Sequence, residues 1–177
     1  MKSTTFSQFR RILAFLIDYI FIALYGVLLF LINVRFNEIY SHFEKISHPI
    51  QAQLIGFLTL TLPVVFYFIL FENSAKQSTP GKRFLNLKVV STDFGKAPFY
   101  CLAIRNAIKF LPWEIAHTCI HWGFYYMNMG KELPAWYYLG NGLSMAMAAL
   151  FVIWIFTNSK NRTFYEKWSG TRVSYVK

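Results

Sequence analysis

The sequence predicts an all-α membrane protein: four transmembrane helices, with a short cytoplasmic β-hairpin and an interfacial amphipathic helix between the second and third. Three observations lead there. Hydrophobic residues make up 55% of the 177 positions and aromatics 20%, against only 15% charged. A soluble domain of this length could not hide that much apolar surface. The apolar residues also run in stretches near the ~20 residues that a bilayer core requires. Finally, the basic residues that produce a net charge of +10 are unevenly placed between those stretches.

The first span covers residues 12–34. Lys2, Arg10 and Arg11 precede it as in a signal peptide, but the run is too long for an h-region and no small-x-small site ends it. It therefore reads as an uncleaved helix. The second, residues 50–71, has no charge; Pro63 within it should kink the helix and free a backbone carbonyl that a neighbouring helix can cover. The third, residues 111–129, is more polar and holds Glu114, His117 and His121. The fourth, residues 136–157, carries Gly140, Ser144 and Ala148 at every fourth position, a stripe small enough for close helix packing.

Charge counting favours four spans over three. With the N-terminus inside, fifteen of the eighteen Lys and Arg residues fall on cytoplasmic segments, leaving Arg35, Lys45 and Lys131 outside. Three spans would put the tail charges, Lys160 to Lys177, on the wrong side. The basic balance thus reports orientation and attraction to anionic headgroups rather than a nucleic-acid partner.

Between spans two and three, "LNLKVV" places Leu85, Leu87 and Val89 on one side, and "TDFGK" follows as a turn, so the segment predicts a hairpin. "FYCLAIRNAIKFL" mixes Leu102 and Ile104 with Arg105, Asn106 and Lys109, the pattern of a helix lying in the interface with its basic residues toward headgroups. Residues 1–177 form a single membrane domain. Cys101 and Cys119 show no ligand spacing and read as free thiols.

Within the first span Arg11, Ala14 and Asp18 share one helix face. Arg11 can snorkel to the interface, whereas Asp18 is too short to do so. Asp18 must therefore face the bundle, as a structural clasp accepting hydrogen bonds from Arg105 or the basic tail, or as a carrier of an ion or proton. In "TPGKR", Pro80 and Gly81 form a tight turn that sets Lys82 and Arg83 near the membrane surface for lipid phosphate or an anionic ligand. The second glycine and following helix of a P-loop are missing. Glu114, His117 and His121 share a face and could ligate a metal or relay protons, although the zinc-protease order H-E-x-x-H is absent. No G-x-S-x-G elbow supports hydrolysis, so no enzyme activity and no cofactor are expected.

Three stretches together resemble the RDD family of bacterial membrane proteins, named for one arginine and two aspartates. They are "RRILAFLIDYI", "STPGKRFLNLKVVSTDFGKAPFYCLAIRNAIKFL" and "FYEKWSGTRVSYV". The resemblance, from about Phe9 to Val176, implies that the arginine is Arg11, with Arg10 competing, and that the first aspartate is Asp18. Glu166 takes the place of the second, one methylene longer than the family's usual residue; Asp93 is the other candidate. The resemblance also implies a multi-pass protein of the bacterial inner membrane with both termini cytoplasmic. Some members are linked to ion/proton antiport.

The function expected is transport of a small solute or ion around a polar centre of Arg11, Asp18, Arg105, Glu166 and Arg172. The alternative is a non-transporting accessory, assembly or protective subunit that binds a protein or lipid. A bundle this small has little pore lining, so a homo-oligomer or a membrane-protein partner is expected.

Overall fold

The computed structural model describes residues 2–35, 48–157 and 162–176; Lys45, Lys160 and Lys177, counted in the charge balance, lie outside them. Helix α1 spans Lys2–Arg35. Helix α2, Pro49–Asn73, contains a π-helical turn at Phe57–Thr61. After the short helix α3 (Pro80–Phe84) and strand β1 (Leu87–Ser91) come α4 (Phe99–Asn128) and α5 (Ala135–Thr157). A short helix α6 (Phe164–Trp168) and strand β2 (Thr171–Tyr175) follow.

Among the described residues three helices are long and apolar enough to cross a membrane: Gln8–Ile32, Pro49–Asn73 and Ala135–Thr157. The expected third span and the expected interfacial helix are instead one continuous helix, α4. The basic stretch of α4 does not lie against headgroups, because Leu102, Arg105 and Asn106 are all buried. Arg105 and Asn106 are drawn inward by the acids described below, and Leu102 packs in an apolar cluster.

The second helix handles its proline as its chemistry requires. Pro63 has no N–H to offer the carbonyl four residues earlier, that of Thr59. The π-helical turn lies there, and the Tyr25 hydroxyl of α1 donates to the Thr59 carbonyl at 2.7 Å. On α5, Gly140 meets Cys119 of α4 so closely that a Cβ would come within 2.5 Å of its sulfur. One turn further along, Ser144 Oγ donates to the Pro112 carbonyl at 2.7 Å. Most of the small-residue stripe is therefore the α4–α5 seam, and Gly123 admits the Tyr137 ring in the same way.

The local hairpin does not form. Its turn exists, with Phe94 at φ 64°, Ser91 N donating to Gly95 O at 2.9 Å and an isolated bridge from Val90 to Lys96. The returning strand is cut short because Pro98 begins α4. The open edge of β1 pairs instead with β2 from the tail, antiparallel, with Leu87 opposite Tyr175 and Ser91 opposite Thr171. Leu87 and Val89 point inward as alternation predicts, and Val89 joins Ile69, Ala97 and Leu102 in a small buried cluster under the sheet.

The helices α2 and α4 run antiparallel in contact along their length. Glu72 meets Asn106 at one end, Phe68 meets Phe110, Gln53 meets Thr118, and His48 meets Trp122 at the other. The sheet, α3 and α6 form a cap at the Glu72 end. An aromatic cluster of Trp122, Tyr125, Tyr126 and Trp136 occupies the opposite end.

Candidate functional site

The polar residues gather where the helices meet the cap, around three buried carboxylates. Asp18 is fully buried on α1. Its Oδ1 accepts from the Gly81 amide at 2.8 Å and the Tyr67 hydroxyl at 3.0 Å, and its Oδ2 from the Thr79 hydroxyl at 2.5 Å. The sequence explains each donor. Thr79 N-caps α3, and Pro80 starts that helix without wasting an amide. Gly81 lies so near α1 that a Cβ would come within 2.2 Å of the Ala14 carbonyl, which only glycine tolerates. The T-P-G segment is thus a backbone clamp on Asp18.

Glu72, at the end of α2, is the second acid. Lys82 Nζ lies 2.8 Å from its Oε1, Arg105 Nε 3.4 Å from its Oε2, and the Asn106 amide donates to Oε2 at 3.1 Å. Lys82 is only 8% exposed, which corrects the expectation that it faces lipid phosphate. The turn of α3 points it back into the protein, where a buried carboxylate outweighs hydration. Arg83 is partly buried; its Nε donates to the Ser78 carbonyl at 3.0 Å and its guanidinium lies over the Phe71 ring.

Glu166 is the third. It is the N3 residue of a capping box with Thr163, whose amide donates to Oε2 at 2.9 Å. Its Oε1 receives Arg11 of α1 and, at 3.1 Å, Arg105 Nη1. The same Nη1 donates to Thr171 Oγ1 at 3.1 Å, so Arg105 ties Glu72, Glu166 and β2 together. Burial alone would raise the Glu166 carboxyl, but Arg11 and Arg105 outweigh it and hold it below the ordinary glutamate range. The longer side chain suits its place, because a capping box wants glutamate at N3 and the second carboxylate oxygen still reaches the arginines.

Arg11, Arg105 and Glu166 are therefore assembled as one group, with Asp18 in a separate clamp. Arg172 joins neither. It lies on β2 with its guanidinium 4.3 Å above the Phe94 ring. Asp93 is exposed in the turn after β1, and Arg10 lies over the Tyr175 ring. Glu72, Thr79, Tyr67 and Asn106 were not anticipated. An acid that ends an apolar run was the available signal for Glu72, and the Asn after Arg105 was the signal for Asn106.

The E-x-x-H-x-x-x-H face of α4 does not form a metal centre. Among the described residues no group of three His, Cys, Asp or Glu side chains is placed to hold an ion. Glu114 accepts from Thr61 of α2, His117 Nδ1 bonds the Trp113 carbonyl at 3.1 Å, and His121 packs against Gly56. Glu114 and His121 thus join α4 to α2, while His117 is held within α4.

Beside the carboxylates lies a cavity of about 390 Å³. Arg11, Asp18, Lys82, Arg105 and Lys109 line its polar end, and Val64, Trp113, Ala148 and Val152 are among the apolar residues below. A model of the RDD family matches residues 6–170. The chain belongs to the RDD family. No curated protein and no solved structure matches it. In this RDD protein Arg11 and Glu166 are an ion pair across the chain, while Asp18 holds the T-P-G segment.

Proposed function

We propose that this RDD protein is a four-span protein of the bacterial cytoplasmic membrane, termini inside, that transports a small anionic solute. The fourth span is α4, which is too polar to be recognised by composition but follows α2 from cap to aromatic cluster. A helix packed along the length of a spanning helix has the reach to span as well. The aromatic cluster has the composition of an interfacial belt, and the cap carries the basic residues expected inside.

One observation carries the transport reading: the cavity abuts the Asp18 clamp, and its polar end is cationic. Four cations, Arg11, Lys82, Arg105 and Lys109, stand against three acids, and each acid already accepts from several donors. A cation entering here would have to displace a paired lysine or arginine from Glu72 or Glu166, or the Thr79, Gly81 and Tyr67 donors from Asp18. An anion would meet Lys109, which among the described residues has no carboxylate within ion-pair distance. Release of Thr79 and Gly81 from Asp18 would let α3 swing and open the cavity to the cytoplasmic side.

Liposomes containing the purified protein and a pH-sensitive dye test this. Gradients of Na⁺, K⁺ and Li⁺ are compared with gradients of organic and inorganic anions. Anion flux that Asp18→Asn reduces is expected. Cation-coupled proton flux that survives Asp18→Asn, or absence of any flux, would remove the reading. The second reading, an accessory subunit, draws on Phe84 and Trp168, 73% and 67% exposed on the cap. Copurification of a stoichiometric partner, lost on Trp168→Ser, would favour it.

A further inference from the structure

We infer that the solute taken by the cavity is an acidic membrane amphiphile, a lipid-like molecule with a phosphate or carboxylate head and an acyl tail. It enters sideways from the bilayer between α1 and α5. The inference rests on the anion reading above and names its substrate class.

The cavity has the shape of such a molecule. On α1 its lining runs from Arg11 to Ile22, a rise of eleven steps, or about 16 Å of helix. That is the depth of one leaflet, half of the ~30 Å hydrocarbon core. Its polar end is the cationic layer under the cap. Beyond that, Ile22, Val64, Trp113, Ala116 and Val152 offer apolar surface with little to bind a hydrated ion. A volume of about 390 Å³ is within the range of small-molecule sites, though a compact inorganic anion would leave most of it empty.

The cavity also has a side entrance. Helices α1 and α5 touch near the cap, where Gln8 donates to the Ile155 carbonyl at 2.8 Å and Phe9 packs edge-on against Phe156. Deeper, Phe15, Tyr19, Ala148 and Val152 line the cavity from these two helices and are also exposed. Residues that line the cavity and are also exposed on the apolar flank give a tail a route that avoids water.

Lys109 is suited to the head. It lies one helical turn deeper than Arg105 on α4, a depth at which an ammonium needs compensation. Its Nζ lies 3.3 Å from the centre of the Phe68 ring and 5.1 Å from that of Phe15, and among the described residues no carboxylate reaches it. An acidic head at the top of the cavity would supply the missing charge, with Phe15 beside the start of the tail.

The test is lipid retention by the full-length protein, measured by native mass spectrometry after incubation with defined mixed micelles. Phosphatidic acid and phosphatidylglycerol should each remain at one per chain, and phosphatidylcholine should not. Lys109→Met should weaken retention of the acidic lipids by about tenfold or more. Ala148→Phe, which fills the tail region and leaves the cationic end intact, should do the same, while both variants keep the melting temperature of the parent in lipid-free detergent. Millimolar inorganic phosphate should fail to displace the lipid. Equal retention of phosphatidylcholine, retention unchanged in both variants, or full displacement by inorganic phosphate would overturn the inference. Flux of soluble anions with no lipid retained would overturn it while leaving the transport reading standing.

Discussion

At the scale of single residues, the buried acids carry the largest energies. Asp18→Ala would leave a hydroxyl, a backbone amide and a phenol without their acceptor, each worth about 1–3 kcal/mol when buried unpaired. Unfolding in detergent should show a loss on the order of 3 kcal/mol or more, and Asp18→Asn a substantial part of it, because an amide nitrogen would face donors. Glu166→Gln should cost about 3–5 kcal/mol by leaving Arg11 and Arg105 buried without their shared carboxylate. The pH dependence follows in sign. A carboxyl held below its unfolded value stabilises fully above that value, and the benefit is lost as pH falls through the folded one. The difference in melting temperature between wild type and Glu166→Gln should therefore shrink on acidification below the ordinary glutamate range. Asp18, Arg11 and Glu166 were legible because a charge inside an apolar run, and its partner in a family motif, stand out. Lys82 was not legible, because a lysine after a Pro-Gly turn has the pattern of a surface residue and the acid it faces lies ten residues earlier.

At the scale of elements, α3 depends on contact with α1, and Gly81 sets how close that contact is. Gly81→Ala should push the two apart and loosen the Asp18 clamp, since a methyl group would overlap the Ala14 carbonyl and approach the Asp18 carboxylate within 2.9 Å. Faster protease cleavage between Asn73 and Leu87 would register it; cleavage at the parent rate would show that α1 had yielded instead. The β-pairing could not be read from sequence. The turn at Asp93–Gly95 was legible, but whether β1 pairs with its neighbour or with a strand some eighty residues later depends on Pro98 ending the return. Helix α4 was divided in two for a similar reason. Lys109 and Pro112 look like a boundary, yet the helix continues through them beside the rings of α2 and the hydroxyl of Ser144.

For the whole molecule, the arrangement predicts that the cap and the aromatic cluster lie on opposite sides of the membrane. In a background with Cys101 and Cys119 replaced by serine and alanine, Lys96→Cys and Lys131→Cys should react with an impermeant maleimide from opposite faces, Lys131→Cys from outside intact cells. Reaction of both from one face would mean that α4 does not cross. The positive-inside count and the apolar runs gave this topology a basis in the sequence. The cavity had none, since residues of the four long helices and of the cap line it together and no single segment carries it.

Arg105 has a consequence for the order in which the protein is made. Its two carboxylate partners lie on either side of it in the chain: Glu72 is synthesised earlier, and Glu166 only after α5. Until Glu166 has emerged, the carboxylate that joins Arg11 of α1 to Arg105 of α4 is missing. Closure of the cap therefore follows synthesis of the long helices. A chain that stops at Thr157 should insert its helices and yet remain open at the cap, exposing to quality-control proteases a membrane protein complete in every span.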